Sequence, residues 1–345
     1  MNRRNFIRTS GLSLAAFLTR EMSVGSLSPG RTRVMALPTG VTAIVNGRLM
    51  KLEGKDKRLW KADNVIVSLK EKEGSLNVAI QAPSASLSAV SLHWELPLNT
   101  TRYVLNDDWE RTYGDVSWHN VKPGEILPWY FMEFNERSTS GFGVKTGTKS
   151  FCYWQSDPRG LLLTLDVRSG GDGVKLGERT LNAAEIVTTK NTLGETPFET
   201  TRRFVTMMCD HPRMPKKPVY GINDWYYTYG QNSAKLILEH TALMAPMSDG
   251  LSNRPFSVID AGWFRVSPSS PDDTAWGEDL GIANGKFGDM SKVSERIRSL
   301  GMRPGLWTRP LCGSRTDSES TILPRIKGRE KDKPVLDPSI PENLE

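Results

Sequence analysis

Cysteine is scarce in this chain of 345 residues. Its three copies, Cys152, Cys209 and Cys312, stand far apart and form no Cys-x-x-Cys pair, which speaks against a disulfide framework and against a thiolate metal site. They read as free, buried thiols. Histidine is nearly as scarce. His93, His119, His211 and His240 are scattered, so no zinc site is expected. A nucleotide loop is missing too. Gly141 to Lys149 looks like one, but it lacks the four residues between glycines and the lysine directly after the second. It reads as a strand and a turn. No metal, nucleotide or flavin cofactor is expected.

A surplus of one charge sign is also lacking once the N-terminus is set aside. The formal charge is +6, but six of the 45 bases and one of the 39 acids lie in the first 36 residues. That leaves 39 bases against 38 acids, with no basic stripe to argue for nucleic acid. The N-terminal segment itself has Arg3-Arg4-Asn5-Phe6-Ile7-Arg8 followed by a small-residue apolar run, Gly11 to Leu18. A positive head, a short apolar stretch and a small-residue exit at Val34-Met35-Ala36 describe a signal peptide over residues 1–36. The arginine pair points to the twin-arginine type, and so to a periplasmic or secreted protein. The apolar run is too short to be a stable membrane anchor.

Residues 41–210 read as short strands. Leu76, Val78 and Ile80 alternate with polar residues, as do Val90, Leu92, Trp94 and Leu96. A period of two marks a strand with one wet face. Gly160 to Val167 is a more continuous apolar run ending in Gly170-Gly171-Asp172-Gly173. With no helical stripe of comparable length, an antiparallel β-sandwich is expected here.

His211 to Pro218 carries three prolines in eight residues and reads as a linker. Beyond it strand and helix alternate through residues 219–345. Val219 to Ile222, Phe256 to Ile259 and Arg303 to Trp307 are strand-like. Ser233 to Met247, with Leu236, Leu238 and Leu243, and Ser291 to Leu300, with Val293 and Ile297, are helix-like, each with a serine cap. That alternation means parallel strands with crossover helices. The C-terminal ends of such strands carry the functional groups. Here those ends hold Asn223-Asp224-Trp225-Tyr226-Tyr227, Asp260-Ala261-Gly262-Trp263 and Trp307-Thr308-Arg309. Carboxylates accept bonds from sugar hydroxyls and indoles pack on sugar rings. The same residues also suit a plugged barrel end with acids capping helices.

Four blocks, Tyr220 to Tyr226, Val258 to Trp263, Lys286 to Met290 and Leu300 to Trp307, resemble in order and spacing the opening of a clan D glycoside hydrolase barrel. They are most similar to the α-galactosidase-like proteins of families 27 and 36. Asp107-Asp108-Trp109-Glu110-Arg111 and Pro128-Trp129-Tyr130-Phe131 resemble the family 36 N-terminal domain. The resemblance implies a (β/α)8 (TIM) barrel after the sandwich, present here as its first three βα units, and an exported hydrolase that cleaves terminal α-linked sugars with retention. One Asp would attack the anomeric carbon and a second would serve as acid and base, about 5–5.5 Å away. Trp225 and Trp307 match positions that line the sugar pocket, and Asp260 matches the first of an Asp pair that binds hydroxyls. Asp224, Trp263 and Trp109 are further candidates for substrate contact, Trp109 being equally compatible with a turn that buries a tryptophan.

Two departures stand out. Ala261 occupies the place of the second Asp of that pair, which puts galactose preference in question. The family's nucleophile follows strand four and its acid/base follows strand six, and residues 312–345 contain no apolar strand. The chain is therefore expected to stop before its catalytic carboxylates and to be inactive alone. The competing expectation is a non-catalytic carbohydrate-binding or interaction protein built on the same fold. In either case the partner is an oligosaccharide or glycoside, and an oligomer is compatible with the sequence.

Overall fold

The computed structural model describes residues 35–344, except 73, 97–102, 110–115, 136–137, 158, 266–278, 314–316, 327 and 330–331. The arginine pair and the apolar run of the leader lie outside the described residues. Most of the described structure is antiparallel β-sheet with few helices. None of the described helices is long and apolar enough to cross a membrane.

Residues 35–190 form two antiparallel sheets. In one, the strands Leu127–Pro128, Phe151–Asp157, Gly160–Asp166, Leu87–Trp94, Gly40–Val45 and Arg48–Lys51 lie side by side in that order. In the other the order is Glu53–Gly54, Leu59–Ala62, Val65–Lys72, Ser75–Gln81, Leu181–Lys190, Ser138–Val144, Tyr130–Asn135, Tyr103–Asn106 and His119–Asn120. Both sheets contribute to one apolar core. Val65, Val67 and Leu69 alternate into it from one strand, and Leu76, Val78 and Ile80 from the next. The continuous run at Gly160–Asp166 resolves the same way, with Leu161, Leu163 and Leu165 in the core. Trp154 is fully buried at the centre, its ring 5.9 Å from both Trp94 and Phe131.

Two expectations need correction here. Met35 is buried in this core, and the Ala36 carbonyl accepts the Trp94 indole N–H at 2.6 Å. The folded sandwich thus reaches into the segment assigned to the leader and begins before residue 41. Second, the stretch read as strands alone contains a helix, Pro197–Met207. Its start is written in Thr196-Pro197-Phe198-Glu199. Thr196 caps the Glu199 N–H, Glu199 bonds back to Thr196, and proline occupies the first turn. The helix presses Phe204 onto the outer face of the nine-stranded sheet. A Cβ would lie 2.8 Å from the Phe204 ring on Gly141 and 3.0 Å on Gly143, so these two glycines of the false nucleotide loop serve close packing.

Residues 211–218 are exposed and carry neither helix nor strand. After them come three parallel strands, Gly221–Asn223, Phe256–Ile259 and Arg303–Leu306, in that spatial order. Helix Ala234–Met244 follows the first and helix Met290–Ser299 the second. Ser233 caps the former, as its sequence implies, but Ile237 and Thr241 form its buried stripe, while Leu243 is exposed. Thr241 is tolerated inside because its hydroxyl bonds the Ile237 carbonyl and Ser257 Oγ. The second helix is capped by Asp289 rather than Ser291, with Asp289 Oδ1 accepting the Ser291 and Lys292 N–H groups. Val293 and Ile297 pack with Ile237, Ile259, Phe264 and Met302 into a second, smaller core. An antiparallel pair, Phe264–Arg265 with Asp279–Ala283, sits after the second parallel strand and was not anticipated.

Candidate functional site

Asn223, Asp260 and Trp307 stand at the C-terminal ends of the three parallel strands, and hydrogen bonds tie these ends together. Asp224 is 1% exposed. Its Oδ1 accepts the Asp260 backbone N–H and its Oδ2 the Asn232 side-chain amide, both at 2.7 Å. Asn232 also donates to the carbonyls of Asp260 and Ala261, each at 3.2 Å. Asp224 is therefore a sealed bracket that fixes the loop after strand two against the loop after strand one. It has no surface to offer a ligand.

Asp260 is different. Its Oδ2 accepts the Asn223 amide and its Oδ1 the Ala261 N–H, both at 2.7 Å, and it stays 8% exposed. A carboxylate offers about four lone-pair sites, so two bonds orient it and leave acceptor capacity toward the rim. The loop that carries it closes tightly. Gly262 has φ +104°, and a Cβ there would lie 2.5 Å from the Gly230 carbonyl oxygen. Ala261 is buried in the core, its methyl standing where the resemblance would put a second acid.

The aromatic candidates separate into three places. Trp225 and Trp307 are half-buried and rest on the same small core. Trp225 reaches over Gly230, beside Ala261, and meets Tyr229 edge-on at 5.7 Å. Trp263 is 3% exposed, a core side chain whose indole N–H holds the Trp307 carbonyl at 2.9 Å. It positions Trp307 instead of facing a ligand. Trp109 lies on the sandwich, 44% exposed, stacked on Phe151 at 4.2 Å and edge-on to Trp129 at 5.5 Å. Its ring partners belong to the sandwich, not to the parallel strands.

Lys286 and Tyr227, quoted in the sequence only within longer blocks, are two further polar groups that feel the Asp224 charge. Lys286 donates from Nζ to the Gly230 carbonyl at 2.8 Å. Partial burial holds its ammonium below the ordinary lysine range, against the pull of the Asp224 charge. Tyr227 meets His240 Nδ1 at 3.0 Å, and its phenol is raised by burial and then by the same Asp224 charge. Lys286 sits inside a quoted sequence block, where its position was the available signal. Asn232 sits in a patternless loop and left none. Among the described residues no three His, Cys, Asp or Glu side chains are grouped to hold a metal ion.

Neither a family model nor a curated protein matches the chain. Solved structures do. A variant of the family 36 α-galactosidase AgaA from Geobacillus stearothermophilus, in complex with raffinose, is 14% identical with TM-score 0.47, over 86% of this chain and 45% of that one. AgaB from the same organism, also a family 36 α-galactosidase, is 14% identical with TM-score 0.44, over 91% and 48%. A family 97 glycoside hydrolase from Pseudoalteromonas sp. strain K8, in complex with acarbose, is 8% identical with TM-score 0.45, over 74% and 41%. The chain spans less than half the length of each of these structures. The family that the sequence blocks resemble, glycoside hydrolase family 36, thus recurs among the solved structures to which the chain is similar.

Proposed function

We propose that these residues form the sugar-binding front of an exported glycoside hydrolase of α-galactosidase type, whose partner is a glycoside with a terminal α-linked sugar. One observation carries the reading. Three successive parallel strands end side by side at Asn223, Ile259 and Leu306, with Asp260 oriented by Asn223 and Trp307 held by Trp263 just beyond them, and with Trp225 and Trp307 packed on the same small core. In this reading the strands are the first staves of a (β/α)8 barrel, and Arg3-Arg4 directs export by the twin-arginine route.

The chemistry would proceed by two carboxylates and needs no cofactor. Asp224 and Asp260 are already committed to holding loops and orienting hydroxyls, so neither takes the nucleophile or acid/base role. A second reading, a non-catalytic carbohydrate-binding protein, draws on that same commitment. The two share the binding rim and differ in turnover.

Calorimetric titration of the full chain with raffinose tests the shared part. Saturable binding is expected, about tenfold weaker in Trp307→Ala, the scale of one lost aromatic contact. Absence of binding, or binding indifferent to Trp307→Ala and Asp260→Asn, contradicts the proposal. Hydrolysis of an aryl α-galactoside by this chain would show that a carboxylate among its own residues performs the attack.

A further inference from the structure

A groove of about 710 Å³ crosses the outer face of the six-stranded sheet. Strand alternation builds its floor. Cys152, Trp154, Leu163, Leu165, Val90 and Leu92 point into the core, so Tyr153, Thr164 and Ser91 between them point out. Pairing register sets these in one row, Tyr153 opposite Thr164 and Thr164 opposite Ser91, and Thr42 continues the row on the next strand. Every member of the row carries a hydroxyl and none carries a charge. The outer face of the nine-stranded sheet differs, since Lys70, Lys145 and Glu185 line the hollow there. Ser91 and Thr164 share one hydrogen bond at 3.1 Å. A hydroxyl brings a donor and a pair of acceptor sites, so that bond leaves donor and acceptor capacity toward a ligand. At the edge of the groove Asp166 and Arg168 bond to each other at 2.5 Å. Aromatic rings stand at one end of the row. Phe151 lies on the face of Tyr153, about 7 Å along the same strand. It is 48% exposed, and Trp109 stacks on it at 4.2 Å.

We infer that this groove binds a neutral polysaccharide chain, with sugar rings packed at Tyr153 and on the Trp109–Phe151 stack and sugar hydroxyls bonded to the Ser91–Thr164 pair. The inference stands apart from the rim of the parallel strands and gives Trp109 a partner on its own domain. A sugar ring offers an apolar face to an aromatic side chain and, at its edge, hydroxyls that both donate and accept. A row of serine, threonine and tyrosine hydroxyls does the same, with no charge to desolvate. An apolar protein partner fits less well, because it would bury those hydroxyls without bonds. Each contact is weak. The fixed entropic cost of association is offset only where several rings engage together, so a long chain binds where a single sugar or a trisaccharide does not.

The test is native electrophoresis of the full chain through gels that contain galactomannan, β-glucan or dextran. Retardation by at least one of them is expected, with its concentration dependence giving an apparent Kd. Tyr153→Ala and Trp109→Ala should each raise that Kd about tenfold, the scale of one lost aromatic contact. Thr164→Val, which keeps the shape and removes the hydroxyl, should raise it about threefold. Each variant is also run without polysaccharide, so that a folding defect shows as altered mobility in both gels. Excess raffinose should leave the retardation in place. Restored mobility would put the binding at the rim and overturn the inference. So would the absence of retardation by all three polysaccharides, or retardation indifferent to all three substitutions. Dimerisation in sedimentation that Tyr153→Ala abolishes would assign the face to a second copy of the chain and overturn it as well. Failure of raffinose to bind anywhere bears on the rim alone.

Discussion

The sandwich and the parallel-strand region hold themselves together in different ways. Among the described residues, the sandwich core gathers 30 that are buried. Among the same described residues, the core of the parallel-strand region gathers ten. Where apolar burial is small, polar brackets take over. Asp224, Asn232 and Asn223 fix the rim through hydrogen bonds, and Thr241 with Ser257 and Arg254 with the Ser248, Ala245 and Gly301 carbonyls fix the helices behind it. The lesson is that the region carrying the candidate site is organised by directed polar contacts, which align side chains, while the sandwich supplies bulk stability.

The largest test of that contrast is Trp154→Ala. Truncating a fully buried tryptophan in the large core should cost about 3–5 kcal/mol, read as a lower midpoint in chemical denaturation. A loss under 1 kcal/mol would mean the sandwich does not depend on its centre. In the smaller region Asp224→Ala should cost about 1–3 kcal/mol, because the Asp260 N–H and the Asn232 amide lose a buried acceptor. Sugar binding should fall with it, since Asp260 is no longer held. If stability drops while binding is unaffected, the bracket does not serve the rim.

Smaller effects sharpen the picture at the sandwich edge. Thr196→Ala removes the cap of the helix that carries Phe204 and should cost about 1 kcal/mol. Glu195 gives a pH signature. Its bonds to Arg203, chiefly, lower its carboxyl from 4.5 to about 2. A depressed acid stabilises fully above its unfolded pKa and loses that contribution as pH falls through the folded one. Stability from this pair should therefore be intact above about pH 4.5 and decline toward pH 2. Arg203→Gln should flatten that part of the stability curve, and an unchanged curve would remove the pair from consideration.

Much of the fold was legible where one face of an element is buried. The alternation at Leu76, Val78 and Ile80 translated directly into the sandwich core, and Phe256–Ile259 matches its sequence assignment residue for residue. The helix at Pro197–Met207 was missed although its capping box is plain, because the surrounding strands set the expected period. Within helix Ala234–Met244 the leucines drew attention away from Ile237 and Thr241, since a threonine with its hydroxyl satisfied can occupy a core position. At the rim, the strand ends bearing Asp224, Asp260, Trp263 and Trp307 were readable from motif spacing. Their division of labour was not, because spacing cannot tell a sealed acid from an oriented one.

Hydrogen–deuterium exchange of the full chain with and without saturating raffinose addresses the central claim most directly. Slower exchange is expected in the segments 223–232, 260–264 and 305–309 together, with the strands of the sandwich core unchanged. Protection confined to the sandwich around Trp109, or protection of one rim segment without the others, would contradict a shared sugar-binding rim.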